Sequence, residues 1–210
     1  MKKAFTLAEV LIVIVIIAII AIITFPILSK NYQEKKIKSL LKKSHSVISQ
    51  ALSFYYLDYG MLATGDYFEP RTFKHVFKNH FIILKDYDYK RFYSESNNSN
   101  LYKDYTGKSN LYYPIFDDGQ FILSDGTLIM IENPNLGKGK NRVFITVDVN
   151  GPNRKPNRLG KDLFIFQVDN NGKLLPMGLE GTAYPYNQYC SESSSSNLNV
   201  AGCTVKFLKK

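Results

Sequence analysis

From Val10 to Ile23 the chain consists only of Val, Leu, Ile and Ala, and the apolar stretch runs on to Leu28 with Thr24 and Pro26 as its only interruptions. A helix rises about 1.5 Å per residue, so about 20 such residues cross a hydrocarbon core of roughly 30 Å. A conventional secretory signal would carry a shorter apolar region, about 7–15 residues, closed by a small-x-small cleavage site. Here the run ends in Phe25-Pro26-Ile27-Leu28-Ser29-Lys30, without that pattern. The stretch therefore predicts a membrane-spanning helix.

Lys2-Lys3-Ala4-Phe5-Thr6-Leu7-Ala8-Glu9 precedes the run. Glu9 is the odd residue: a carboxylate at the edge of a long apolar helix either marks function, being costly to bury, or simply lies at the membrane interface, and position alone favours neither. A short basic leader, a small residue, Phe, three residues, then Glu and an apolar helix resembles the prepilin signal of type IV pilins and type II secretion pseudopilins. The resemblance is specific over about the first thirty residues. It implies cleavage between Ala4 and Phe5 by a prepilin peptidase, N-methylation of Phe5, and assembly through Glu9 and Pro26, the latter matching the family's helix-kinking proline. The residue before the cut is usually Gly in that family, and the small Ala4 stands there in this chain. Physically, a new N-terminal ammonium at Phe5 would need a partner in an apolar filament core, and Glu9 of the same or a neighbouring subunit supplies one. The resemblance also implies Lys2-Lys3 in the cytoplasm and the basic helix outside, and lysine counts oppose that orientation: the positive-inside rule prefers the basic stretch that follows the span on the cytoplasmic side.

Beyond Pro26, Ile37, Leu40/Leu41, Val47/Ile48, Ala51/Leu52 and Tyr55 recur at three- and four-residue steps, which predicts an amphipathic helix to about Tyr59, ended by Gly60. Residues 61–110 are harder to parse. Phe73 to Leu84 reads as a short helix, and Ser94 to Asn110 as a polar surface loop. From Leu111 the pattern turns to β: Gln120–Leu123 and Thr127–Ile131 flank an Asp125-Gly126 turn, followed by Val143–Val149, Leu163–Val168 and a turn at Asp169-Asn170-Asn171-Gly172 into Lys173–Leu175. The expected fold class is α+β, an antiparallel sheet of about four strands packed on the long helix. The resemblance implies the same pilin fold. The expected divisions are a leader at 1–4, a membrane half of the helix at 5–28, an amphipathic half at 29–60, an insertion at 61–110, a sheet at 111–180 and a C-terminal segment at 181–210.

The formal net charge of +9 owes much to Lys30, Lys35, Lys36, Lys38, Lys42 and Lys43, opposed locally only by Glu34. That run reads as a solvated helix face, with the remaining basic residues scattered. Between two of the expected strands, Asp148, Asn150 and Asp162 place oxygens that could hold a hard cation such as calcium, as some pseudopilins do. Arg154, Lys155, Arg158 and Lys161 interleave with them, and turn formation is the simpler use of so much Gly, Pro and Asn. Cys190 and Cys203 belong to no CxxC pair, and the histidines lie far off in sequence. In an exported protein they would close a short disulfide loop; in a reducing compartment they would stay thiols. Pilins often display such a disulfide-bounded C-terminal segment, and the terminal Thr204–Leu208 reads as a strand.

No GxSxG, HExxH or phosphate-cradling glycine loop occurs, so no enzymatic activity and no required cofactor are expected. The expected function is a filament subunit of a type IV pilus or type II secretion pseudopilus, held in the inner membrane before assembly with its head in the periplasm. Its expected partners are the peptidase and other subunits. Two alternatives stand beside it: a minor pilin whose basic head binds DNA, and a single-span membrane protein unrelated to pili.

Overall fold

The computed structural model describes residues 6–69, 71–87, 100–111, 116–134, 142–191 and 198–209. The chain divides into two compact units, one ending at Lys36 and the other starting at Ile37. Helix α1, Leu7–Tyr59, supplies the described part of the first unit and opens the second. In the first unit the apolar side chains are exposed on every side, from Leu7 through Leu28. A helix apolar all round has no solvated face to turn outward, which suits a bilayer or a filament core. Pro26 sits inside α1. It has no N–H to donate to the Ile22 carbonyl, so the ladder is weakest there.

In the second unit α1 becomes amphipathic as expected, burying Leu41, Ser44, Ile48, Ala51, Leu52 and Tyr55. It ends at Gly60, whose φ of +67° and N–H to the Tyr56 carbonyl at 2.9 Å form the expected cap. The rest of the unit is a six-stranded antiparallel sheet in sequence order: β1 Ile83–Asp86, β2 Gly119–Leu123, β3 Leu128–Glu132, β4 Val143–Asp148, β5 Leu163–Val168 and β6 Leu174–Pro176. Among the described residues three short α-helices accompany it: α2 Phe73–Phe77, α3 Tyr186–Tyr189 and α4 Thr204–Lys209.

Six strands replace the expected four or so. The extra edge strand β1 lies where Phe73 to Leu84 reads as one helix. Phe73, Phe77 and Phe81 repeat at helical spacing and pack in sequence, with ring centroids 4.8 and 5.0 Å apart. The helix nevertheless stops at Phe77, and β1 pairs with β2. At the C-terminus, Thr204–Lys209 is a helix rather than the expected strand. Two tertiary bonds hold its start: the Ile165 N–H donates to Thr204 Oγ1 at 3.2 Å, and the Val205 N–H to the Met177 carbonyl at 3.1 Å. Phe207 lies against Phe164, with centroids 5.3 Å apart.

Every residue of β3, β4 and β5 is buried. One face of the sheet packs with α1 and α2, through Ile129, Ile131, Ile145, Val147, Phe164 and Phe166 among others. The opposite face, through Leu128, Met130, Phe144, Leu163 and Ile165, packs against Tyr102, Leu111, Phe116, Met177 and Ala201. That second core, built from the former insertion and the C-terminal segment, explains why these strands read as unbroken apolar runs rather than as alternation.

Candidate functional site

At the start of α1 the Glu9 carboxylate turns back on the helix end. Its Oε2 accepts the Thr6 backbone N–H at 2.8 Å and the Thr6 hydroxyl at 2.8 Å, while the Glu9 N–H reaches Thr6 Oγ1 at 3.3 Å. Thr6-x-x-Glu9 is a capping box, satisfying backbone donors that an apolar environment would leave bare. In the sequence Glu9 stands out for its charge; its capping role shows there only in the Thr-to-Glu spacing. Ala4 and Phe5 lie outside the described residues. α1 is long and apolar enough to cross a membrane.

The two cysteines are joined, with Cα atoms 4.9 Å apart across 13 residues of sequence. Cys203 ends a 3-10 turn, Ala201–Cys203, that leads directly into α4. Across the loop, the Asn199 side chain donates to the Ser191 carbonyl and accepts the Ser191 N–H at 3.2 Å.

Asp148 and Asp162, at opposite ends of the β4–β5 loop, are both fully buried. Asp148 accepts the Tyr102 hydroxyl at 2.6 Å, the Gly151 N–H at 2.9 Å and the Asn150 N–H at 3.3 Å. Asp162 accepts the Asn157 N–H at 2.8 Å and the Arg158 N–H at 2.7 Å. Each carboxylate thus folds its own end of the loop by collecting backbone donors. The third oxygen-bearing residue, Asn150, donates to the Arg154 carbonyl at 3.2 Å, while its own Oδ1 is buried with no partner among the described residues. As a set the residues fit calcium poorly, because converging N–H dipoles occupy the carboxylate oxygens a cation would need. Burial pushes Asp148 up to about 7, opposed by the Tyr102 hydroxyl and backbone N–H groups and reinforced by Asp162. Burial likewise raises Asp162 and holds the Tyr102 phenol well above its ordinary range.

A second acidic group, Asp117, Asp118 and Glu132, gathers oxygens within 4.8 Å of one another beside β3. Burial, then the charges of Asp118 and Asp117, push Glu132 up to about 9. Asp118 is held by Arg71 at 3.3 Å and by the Asn133 N–H at 2.8 Å. The group is not visible in the sequence, because it is the pairing of β2 with β3 that brings its members together across 15 positions.

Residues 1–25 match the prokaryotic N-terminal methylation motif, the prepilin-type signal of type IV pilins and pseudopilins. The chain carries a prepilin signal. No curated protein and no solved structure matches it significantly. The long apolar helix followed by an antiparallel sheet is a pilin-like layout. The motif thus covers the leader, the capping box and most of the apolar half of α1, and the head of this prepilin-type chain rests on its own geometry.

Proposed function

We propose that the chain is a structural subunit of a type IV pilus or type II secretion pseudopilus. The motif match over residues 1–25 carries this reading. A prepilin peptidase cuts between Ala4 and Phe5, and the new Phe5 amine is methylated. Before assembly the apolar half of α1 anchors the chain in the inner membrane, with the disulfide-bearing head on the periplasmic side. During assembly the helix leaves lipid for a bundle of identical helices, where the Phe5 ammonium pairs with a Glu9 carboxylate and fixes register between neighbours. Pro26 gives α1 a point of weakness at which it bends to pack.

Intact-mass measurement of the assembled protein from its native host tests this reading. A chain beginning at Phe5 and heavier by one methyl group is the expected result. Assembled protein that begins at Met1 or Lys2 overturns it and leaves an ordinary single-span membrane protein.

A further inference from the structure

Six basic residues of the head lie on two segments that pair with each other. Segment 100–111 and the β4–β5 loop are stitched together: the Lys103 N–H donates to the Asn157 carbonyl at 3.0 Å, and the Leu159 N–H to the Lys103 carbonyl at 3.2 Å. Together the two segments bring Lys103, Lys108, Arg154, Lys155, Arg158 and Lys161 to one surface. Lys108, Arg154, Lys155 and Lys161 are exposed, and Lys103 and Arg158 are half-buried. Their three carboxylates all face inward: Asp148 and Asp162 are fully buried, and Asp104 is 9% exposed. Asp104 is occupied by the Thr106 hydroxyl and the Gly107 N–H, each at 2.8 Å.

Three of the six cations are restrained, none of them by a carboxylate among the described residues. Among the described residues no carboxylate pairs with any of the six. Lys161 Nζ sits 4.8 Å from the centre of the Tyr105 ring. The Arg158 guanidinium lies so close over Gly107 that a Cβ there would collide with it. Lys103 Nζ bonds the Asn110 side-chain oxygen. Ring, glycine and amide restrain three of the charges and cancel none, so the surface keeps its positive potential and has already lost part of its side-chain freedom.

We infer that this surface binds a nucleic-acid strand through its phosphates. It goes beyond the filament role and does not depend on it. A phosphodiester polymer brings one charge per nucleotide to a group of Lys and Arg that no carboxylate among the described residues neutralises, and Arg adds forked donation to phosphate oxygens. A membrane surface fits less well, since Tyr105 is the only exposed large apolar side chain on these two segments to enter a bilayer.

The test uses the full mature chain in non-ionic detergent, with a labelled single strand of mixed sequence, its duplex, and vesicles of anionic phospholipid. Retention of DNA should fall steeply with salt, with a log–log slope of about −3 for a single strand if about four phosphates are engaged. Lys108→Glu/Arg154→Glu/Lys161→Glu should weaken DNA binding at least tenfold, while Lys35→Glu/Lys36→Glu/Lys38→Glu in α1 should change it little. Should the triple reversal fail to fold, Lys108→Gln/Arg154→Gln serves, with a smaller loss in the same direction. Three results would overturn the inference: no DNA retained at low salt, loss of binding only in the α1 variant, or a patch variant that loses vesicle binding and keeps DNA binding.

Discussion

At Glu9, helix capping and charge pairing make different demands on one carboxylate, and substitution separates them. Glu9→Gln keeps an acceptor for the Thr6 donors but loses the charge, Glu9→Val loses both, and Thr6→Val removes the hydroxyl alone. Neither Glu9 change makes α1 less apolar, so membrane insertion should persist in both. Both should abolish filament incorporation, because an unpartnered ammonium in the core costs about 3–5 kcal/mol. Thr6→Val should lower the yield only partly, a lost cap being worth about 0.5–2 kcal/mol. Sheared-filament yield compared with the membrane fraction decides; normal incorporation of Glu9→Gln would show that the charge is dispensable. In the head, Lys74 is 3% exposed and pairs with Asp86, which also accepts Lys78 at 2.6 Å. Burial raises the Asp86 carboxyl, but bonds from the two lysines outweigh it and leave it below the usual range. Asp86→Ala removes the carboxylate that both Lys74 and Lys78 bond and should destabilise the head, read as a lower urea midpoint.

Among the elements, α4 depends most on a covalent tie. Only Thr204 and Val205 of it are buried, and it follows Cys203 directly. Cross-linking across about 13 residues removes close to 3 kcal/mol of unfolded-state entropy in the chain-entropy account. Cys203→Ser should therefore cost about that much and loosen α4 while leaving α1 intact, which hydrogen exchange at the Val205 and Phe207 amides would register. Unreduced, denatured protein should show no reactive thiol; two per chain would contradict the bond. Local sequence points the wrong way for this element, since Thr204-Val205 is β-branched and suggests a strand. What overrides propensity is packing, the pairs Val205/Leu208 and Thr204/Phe207 sharing a face only in a helix.

For the whole head, acidity and stability are linked through opposing groups. Asp148 and Glu132 are raised, to about 7 and about 9, so the folded state binds their protons more tightly than the unfolded chain. Their contribution is complete below about pH 4 and is lost as pH rises through 7 and then 9. Asp125, like Asp86, is lowered: burial raises it, but Lys43 and Thr127 bonds prevail, so its contribution is lost as pH falls below its unfolded value. Stability should peak near pH 5 and decline by a few kcal/mol toward pH 9, each tenfold difference in proton affinity between folded and unfolded chain being worth about 1.4 kcal/mol. Asp148→Asn should flatten the part of the slope near pH 7. A urea midpoint that rises steadily from pH 5 to 9 would contradict both assignments.

The apolar span, the prepilin signal, the amphipathic half of α1 with its Gly60 cap and five of the six strands were legible in the sequence, because each is written in local periodicity or in contiguous motif. Pairing of Cys190 with Cys203 was legible only on the assumption of export. The second core, the strand β1, the helix at Thr204–Lys209, the acidic group around Glu132 and the cationic surface at 100–111 and 149–162 were not. Each depends on which residues distant in sequence become neighbours, and above all on which carboxylates the fold turns inward. Lys103 and Lys161 look like ordinary surface charges until Asp104, Asp148 and Asp162 are spent on backbone N–H groups, and only the tertiary structure decides that.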